Sequence, residues 1–220
     1  MGGADDVQTL AHELGHGIHA LLSRGQKMVY FYGTLPMAEV ASTFAEQLVF
    51  SELLSRSENP AERRALYARR IEGSFATIFR QISMYRFEQA VHAERKSGEL
   101  TAERFGELWQ EKVGAMFGDS ITLGNDHKTW WSYVAHFIHT PFYVYAYAFG
   151  ERLALALYTR GVEEGAGFVP KYLKMLSLAG SQPPHELVKP LGVDLTRESF
   201  WLGALRVLED EVSAFEKLLD

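Results

Sequence analysis

The stretch LAHELGHGIHA, residues 10–20, places His12, Glu13, His16 and His19 within two helical turns. On an α-helix, four residues advance by about 40° net and about 6 Å along the axis, so His12 and His16 point the same way one turn apart. Two imidazoles so placed can close on one divalent cation. Glu13 beside them can reach water activated by that ion without ligating it. This is the H-E-x-x-H pattern, with the histidines as zinc ligands and the glutamate as general base. With 8 His and 28 Asp+Glu in 220 residues, random placement yields such a pattern about 0.04 times. His19 shares the face, but it lies about 10 Å from His12 along the axis and cannot share the ion with both.

A catalytic zinc takes three protein ligands and keeps a position for water. The next helical segment carries AEVASTFAEQ, and its first carboxylate, Glu39, follows His16 after enough chain to lay a second helix against the first. Glu39 shares a face with Ser42, Thr43 and Glu46, so a ligand there brings polar neighbours with it. Glu46 suits the free ring N–H of a ligand histidine, which fixes the tautomer. Taken alone, Glu39 and Glu46 read better as a solvated face. The preceding H-E-x-x-H and the small residues Ala38, Ala41 and Ala45, which allow close helix approach, favour Glu39 as third ligand.

Composition limits the function classes. A hydrophobic content of 47%, a charged content of 23% and a net charge of −6 belong to a globular chain with a real core, and argue against nucleic acid as partner. There is no cysteine, which excludes disulfides and thiolate metal sites and permits a reducing cytoplasm. Residues 1–9 are polar and acidic, where a secretory signal is basic and then apolar. The apolar run FYVYAYAF, 142–149, is far short of a membrane span. A cytoplasmic protein without a membrane partner is expected. Natural domains rarely open on their active site, so a chain cut from a longer one is also expected.

The elements that must position these residues read as helices throughout. Asp5 or Asp6 caps a helix running to about Ser23, and Pro36 opens a second through about Leu54. MVYFYG, 28–33, is β-branched and aromatic between glycines and reads as one short extended piece. Asn59-Pro60 starts a long helix with Ile71, Phe75, Ile78, Phe79 and Ile82 at helical spacing, stopped at Ser97-Gly98. Thr101 caps the next helix, and a Trp-rich segment follows a Gly-Asn turn. Pro141 is expected to begin a helix to about Arg160, GVEEGAGF a loop, FVPKYLKMLSLA a short helix, and residues 196–220 a terminal amphipathic helix. The fold class is all-α, one domain over 1–220, with at most a short extended segment at 28–33.

HFIHTPFYVYAYAFG is the second stretch with chemical potential. Peptide-bond hydrolysis creates an oxyanion, and a phenol or imidazole donor aimed at it lowers the barrier by about 3 kcal/mol. The alternation of Tyr143, Tyr145 and Tyr147 is a strand signal. The helical GERLALALY after it and Pro141 before it favour a helix, on which Tyr143 and Tyr147 share a face and Tyr145 points elsewhere. Aromatic core packing is an equal reading of each tyrosine, and His136 and His139 read equally as packed or surface residues.

TLAHELGHGIH followed by MAEVASTFAEQLV resembles the oligoendopeptidase F family, the bacterial branch of the thimet-type metallopeptidases. GELTAERFGELWQEKVGAMFGDS, HFIHTPFYVYAYAFGERLA and GVDLTRESFWLGALRVLEDEVSAFEKL resemble that family's C-terminal region in the same order, so the resemblance covers essentially the whole chain. It implies a zinc oligopeptidase with a helical, neurolysin-like catalytic lobe acting on short peptides. His12, His16 and Glu39 match the family's zinc ligands and Glu13 its general base. The family places a histidine and tyrosines from the second stretch over the zinc. His136 fits that pattern better than His139, and Tyr143 or Tyr147 would complete it. His19 matches a frequent family position that supports the helix pair.

Family members also carry several hundred residues before the zinc helix, forming the other wall of the substrate channel. The resemblance therefore implies a missing N-terminal half, or a second copy, as partner. Two rivals stand beside this reading: a related zinc exopeptidase, and a non-catalytic helical module that keeps the zinc fold. His92, His127 and His185 are expected at the surface, and Trp130-Trp131 in the core or at a lobe interface.

Overall fold

The computed structural model describes residues 2–219, and among these residues every regular element is helical. In chain order the α-helices are Ala4–Leu22 (α1), Met28–Phe31 (α2), Leu35–Arg56 (α3), Pro60–Ser74 (α4), Gln81–Glu94 (α5), Ala102–Gly114 (α6), His136–His139 (α7), Tyr145–Glu164 (α8), Phe168–Leu178 (α9), Pro184–Val188 (α10) and Glu198–Glu216 (α11). Contacts between Cα atoms divide the chain into two compact units, Met1–Ser74 with Phe149–Asp220, and Phe75–Ala148.

The first unit is built on α1 packed along α3. Ala11 and Gly15 are the buried residues of α1. A Cβ at Gly15 would lie 2.5 Å from the Ala41 carbonyl oxygen and 2.6 Å from Ser42 Cα. The helices therefore touch backbone to backbone, between the turn that carries His12 and the turn that carries His16. Around this pair Val40, Leu153, Leu157, Met175, Leu176, Val188 and Leu191 form the apolar core. A charged group is buried beside α11. Arg70 lies 3.5 Å from Glu151 and 3.6 Å from Glu211, with side chains 9%, 4% and 8% exposed. Ser74 Oγ donates to Glu151 Oε1 at 2.6 Å, and Gln47 Nε2 donates to Glu211 Oε1 at 3.4 Å. This network ties α3, α4, α8 and α11 together. Burial, and then the charge of Glu151, raise the Glu211 carboxyl, against the pull of Arg70 and Gln47.

The second unit packs α5 and α6 around Met84, Phe87, Val91, Leu108, Trp109 and Val134. Trp131 stacks on Phe105 at 4.8 Å, while Trp130 is 51% exposed and lies over His127. Thr101 caps α6 by accepting the Arg104 N–H, and Asn59 caps α4 by accepting the Ala61 N–H, as their residue types require.

Four segments depart from the sequence expectation. MVYFYG is not extended: Met28–Phe31 forms one helical turn. A strand needs a partner for its backbone groups, and none exists among the described residues. The Tyr30 N–H instead bonds the Lys27 carbonyl, and the Tyr30 carbonyl accepts the Gly180 N–H. The long helix after Pro60 is interrupted by a π-helical stretch, Phe75–Arg80. Pro141 does not start α8, because Phe142 adopts φ 61°, outside the helical region, and its N–H bonds the Glu88 side chain. The loop expected at GVEEGAGF is mostly helical, α8 running to Glu164 and a 3-10 turn following at Gly165–Gly167.

Two pairs of variants test this packing by thermal and denaturant unfolding. Gly15→Ala forces backbone apart and is expected to cost about 1–3 kcal/mol. Gly17→Ala meets nothing within 4 Å and should stabilise by about 0.5–1 kcal/mol, because alanine is the better helix former. Arg70→Met leaves buried carboxylates without their cation and should cost about 3–5 kcal/mol near pH 7. A raised carboxyl favours the fold in its protonated form, a contribution present at low pH and lost as pH rises through the raised value. The Arg70→Met deficit should therefore shrink on acidification as Glu211 takes up a proton, whereas the Gly15→Ala deficit should not.

Candidate metal centre and tyrosine cluster

The α1–α3 contact sets the first cluster. His12 Nε2 lies 3.1 Å from His16 Nε2. Glu39 Oε2, from the first turns of α3, lies 3.7 Å from His12 Nε2 and 3.6 Å from His16 Nε2. Three atoms that bind one tetrahedral ion at about 2.0–2.2 Å stand about 3.3–3.6 Å apart, so the separations lie close to those of such a site. The donor set, two imidazoles and one carboxylate, suits a borderline-soft divalent ion with a position left for water. All three side chains are half-buried, which leaves the cluster accessible.

Two neighbours hold these side chains in place. Glu46, two turns beyond Glu39 on α3, hydrogen-bonds His12 Nδ1, which leaves Nε2 free to face the cluster. This bond first, and then the charges of Glu46, Glu39 and Glu13, raise the His12 imidazole above its ordinary value, against the lowering effect of burial. Ser42 Oγ lies 3.2 Å from Glu39 Oε2 and donates to the Glu39 carbonyl at 2.9 Å. The sequence reading overlooked Gly150. A Cβ there would lie 2.9 Å from Glu39 Cβ, so α8 leaves room for Glu39 only because it carries glycine. Gly15 was overlooked in the same way. The signal for both, a glycine inside an apolar helical stretch, was present without the neighbour that explains it.

Glu13 is exposed on α1 beside the ligands. His19 is half-buried, and burial followed by the charge of His16 lowers its imidazole. The structure therefore brings His12, His16, Glu39 and Glu46 together, and places Glu13 and His19 on the same helix.

The second cluster lies within Phe75–Ala148. Tyr147 Oη is 3.3 Å from His136 Nε2. The Tyr143 ring stacks on His136 at 5.4 Å and meets Tyr147 edge-on at 5.1 Å. Tyr143 precedes α8 rather than sitting on it, yet it joins Tyr147 on one side. Tyr145 packs against Tyr85 at 5.6 Å. His139 is exposed, as are His92 and His185. His127, expected at the surface, is half-buried and accepts the Trp109 indole N–H, a tertiary contact that its sequence neighbourhood does not show.

Known proteins resemble this chain along nearly its whole length. Residues 3–207 match the model of Peptidase family M3. The chain is 33% identical to Oligopeptidase PepF of Bacillus subtilis, over 98% of this chain and 32% of that protein. It is also 33% identical to the plasmid Oligoendopeptidase F of Lactococcus lactis subsp. cremoris, over 98% of this chain and 36% of that one. The crystal structure of oligoendopeptidase-F from Enterococcus faecium superposes with a TM-score of 0.81 at 27% identity, covering 98% of this chain and 39% of that one. This chain thus spans about a third of the length of the curated relatives it matches, and the resemblance read from its motifs holds across nearly its full extent. The chain belongs to Peptidase family M3.

Proposed function

We propose that these 220 residues form a single zinc-peptidase catalytic domain, part of a cytoplasmic oligoendopeptidase that cleaves short peptides internally. The observation that carries this reading is the mutual spacing of His12 Nε2, His16 Nε2 and Glu39 Oε2. These three atoms would hold one Zn²⁺, with Glu46 orienting His12 and Ser42 supporting Glu39. Bound zinc supplies Lewis acidity to a carbonyl oxygen and to water. Glu13, exposed beside the ligands, takes a proton from the attacking water and delivers it to the departing amine nitrogen. His136 and the phenols of Tyr143 and Tyr147 donate hydrogen bonds to the oxyanion that develops on the scissile carbonyl.

One surface bears on how much of the enzyme this chain supplies. Val7, Leu10, Leu14, Ile18 and Leu21 are all exposed and recur at helical spacing on α1. Leu14 lies about 160–200° around the helix from His16 and His12, so this stripe faces away from the metal ligands. At Ile18 it leads into an apolar cleft of about 400 Å³ lined by Gly15, Phe44, Leu48, Phe168 and Tyr172. Apolar patches of this kind mark interaction surfaces. The matched relatives carry about two thirds more of their length beyond the shared region. A segment equivalent to that remainder is the occupant we assign to this face, and it would also supply the second wall of the substrate channel.

Three measurements test the reading. Metal analysis should find one zinc per chain, lost with a lower melting temperature in His12→Ala, His16→Ala and Glu39→Ala, because metal-binding energy is folding energy here. Full zinc occupancy in Glu39→Ala excludes the third ligand. Glu13→Gln should keep its zinc while hydrolysis of a quenched fluorescent peptide falls by about 10²–10⁴-fold. This chain alone should bind zinc yet turn over that peptide weakly and with a high KM, since remote contacts position the scissile bond. Full oligopeptidase activity from its monomer overturns the assignment of a missing wall, and release of single residues rather than internal fragments overturns the endopeptidase reading.

A further inference from the structure

Glu88, in the middle of α5, is a carboxylate only 2% exposed, and neither proposed catalytic step uses it. Buried carboxylates are costly and persist where something needs them. Its Oε1 accepts the Phe142 backbone N–H at 2.8 Å. Its Oε2 makes no hydrogen bond among the described residues. The side chain is directed at a single amide, in the turn between His136 and Tyr147.

That amide belongs to the residue in the turn that most needs holding. Phe142 adopts φ 61°, the left-handed region that a non-glycine residue occupies only when its surroundings impose it. The neighbouring amides are paired locally, Thr140 N–H to the His136 carbonyl, Tyr143 N–H to the Thr140 carbonyl and Ala146 N–H to the Tyr143 carbonyl. Phe142 is held from α5 instead, by both backbone and ring. Its ring lies 4.7 Å from His92 and 6.1 Å from Tyr85. Tyr85, Glu88 and His92 follow one another at helical spacing, so one face of α5 grips the turn. The chain direction at Phe142 determines where the next residue, Tyr143, lays its ring on His136.

We propose that Glu88 is a positioning residue: it fixes Phe142 in its left-handed conformation and thereby assembles His136, Tyr143 and Tyr147 into one cluster. Its environment agrees with that role. Burial raises the Glu88 carboxyl, while the Phe142 N–H and then the charges of His92 and His136 pull it back. The consequence for hydrolysis rests on the reading of His136 and the tyrosines given above, but the positioning itself does not.

The test is NMR on the 220-residue chain with labelled histidine and tyrosine rings. In the unaltered protein the Phe142 amide should be protected from hydrogen exchange, and NOEs should connect the His136 ring to the rings of Tyr143 and Tyr147. Glu88→Gln keeps an acceptor oxygen and should keep both signatures. Glu88→Met fills the volume without an acceptor and should lose both. Adding Phe142→Gly to Glu88→Met should restore the NOEs, because glycine adopts the turn without being held. A retained NOE between the His127 and Trp109 rings, which pack together in the same unit, shows that a variant is folded. An unprotected Phe142 amide in the unaltered protein, or NOEs that survive in Glu88→Met, overturns the proposal, and the first of these needs no variant to fold. If the NOEs follow the expected pattern while His136→Ala keeps its peptide hydrolysis, Glu88 positions the cluster and the catalytic reading of His136 fails instead.

Discussion

Two helices in this protein touch through their backbones, and the geometry of the metal cluster follows from that contact. Gly15 sits against the Ala41–Ser42 peptide of α3 at the level of His12 and His16. A carboxylate on the neighbouring helix can come within 3.6–3.7 Å of both imidazoles only if the helix axes are this close. Two side-chain layers between the helices would place Glu39 out of reach. Glycine at 15 is therefore a condition for bringing the side chains of 12, 16 and 39 together, although it carries no functional group.

The same logic recurs around Glu39. Gly150 on α8 leaves the volume that the Glu39 side chain occupies, and α8 is in turn anchored by Glu151 in the buried Arg70 network. Such networks contribute little net stability, but they strongly penalise any arrangement that separates their members. Here the members come from α3, α4, α8 and α11, so the register of the helices behind the ligand pair is specified by charge, while the approach of the pair itself is specified by sterics. Apolar packing alone constrains register less well, because methyl and methylene surfaces tolerate sliding.

The tyrosine cluster is controlled differently. It stands on a turn and a single-turn helix rather than on long helices, and such backbone has few internal hydrogen bonds to hold it. Rigidity has to be imported. The face of α5 provided by Tyr85, Glu88 and His92 does this, packing its rings edge-on and tilted against the Phe142 ring and bonding its amide. A left-handed phenylalanine costs on the order of 1–3 kcal/mol, which the hydrogen bond from its amide to Glu88, worth about 0.5–1.5 kcal/mol, offsets in part.

Periodicity was enough to identify most of the helices, and the His12–His16–Glu39 cluster was legible because its members are local: His12 and His16 lie one turn apart, and Glu39 lies on the next long helix. Helical spacing is a property of the chain itself, so the sequence determined which atoms face together. What it could not determine was whatever depends on a distant partner. The strand expected at 28–33 became a turn because no neighbouring strand existed and the Tyr30 carbonyl found Gly180 instead. Pro141 failed to start α8 because Phe142, whose amide bonds Glu88 far away in sequence, adopts a left-handed conformation. The roles of Gly15 and Gly150 were invisible for the same reason. A glycine's meaning lies in the atom that would collide with its missing Cβ, and only the tertiary structure places that atom.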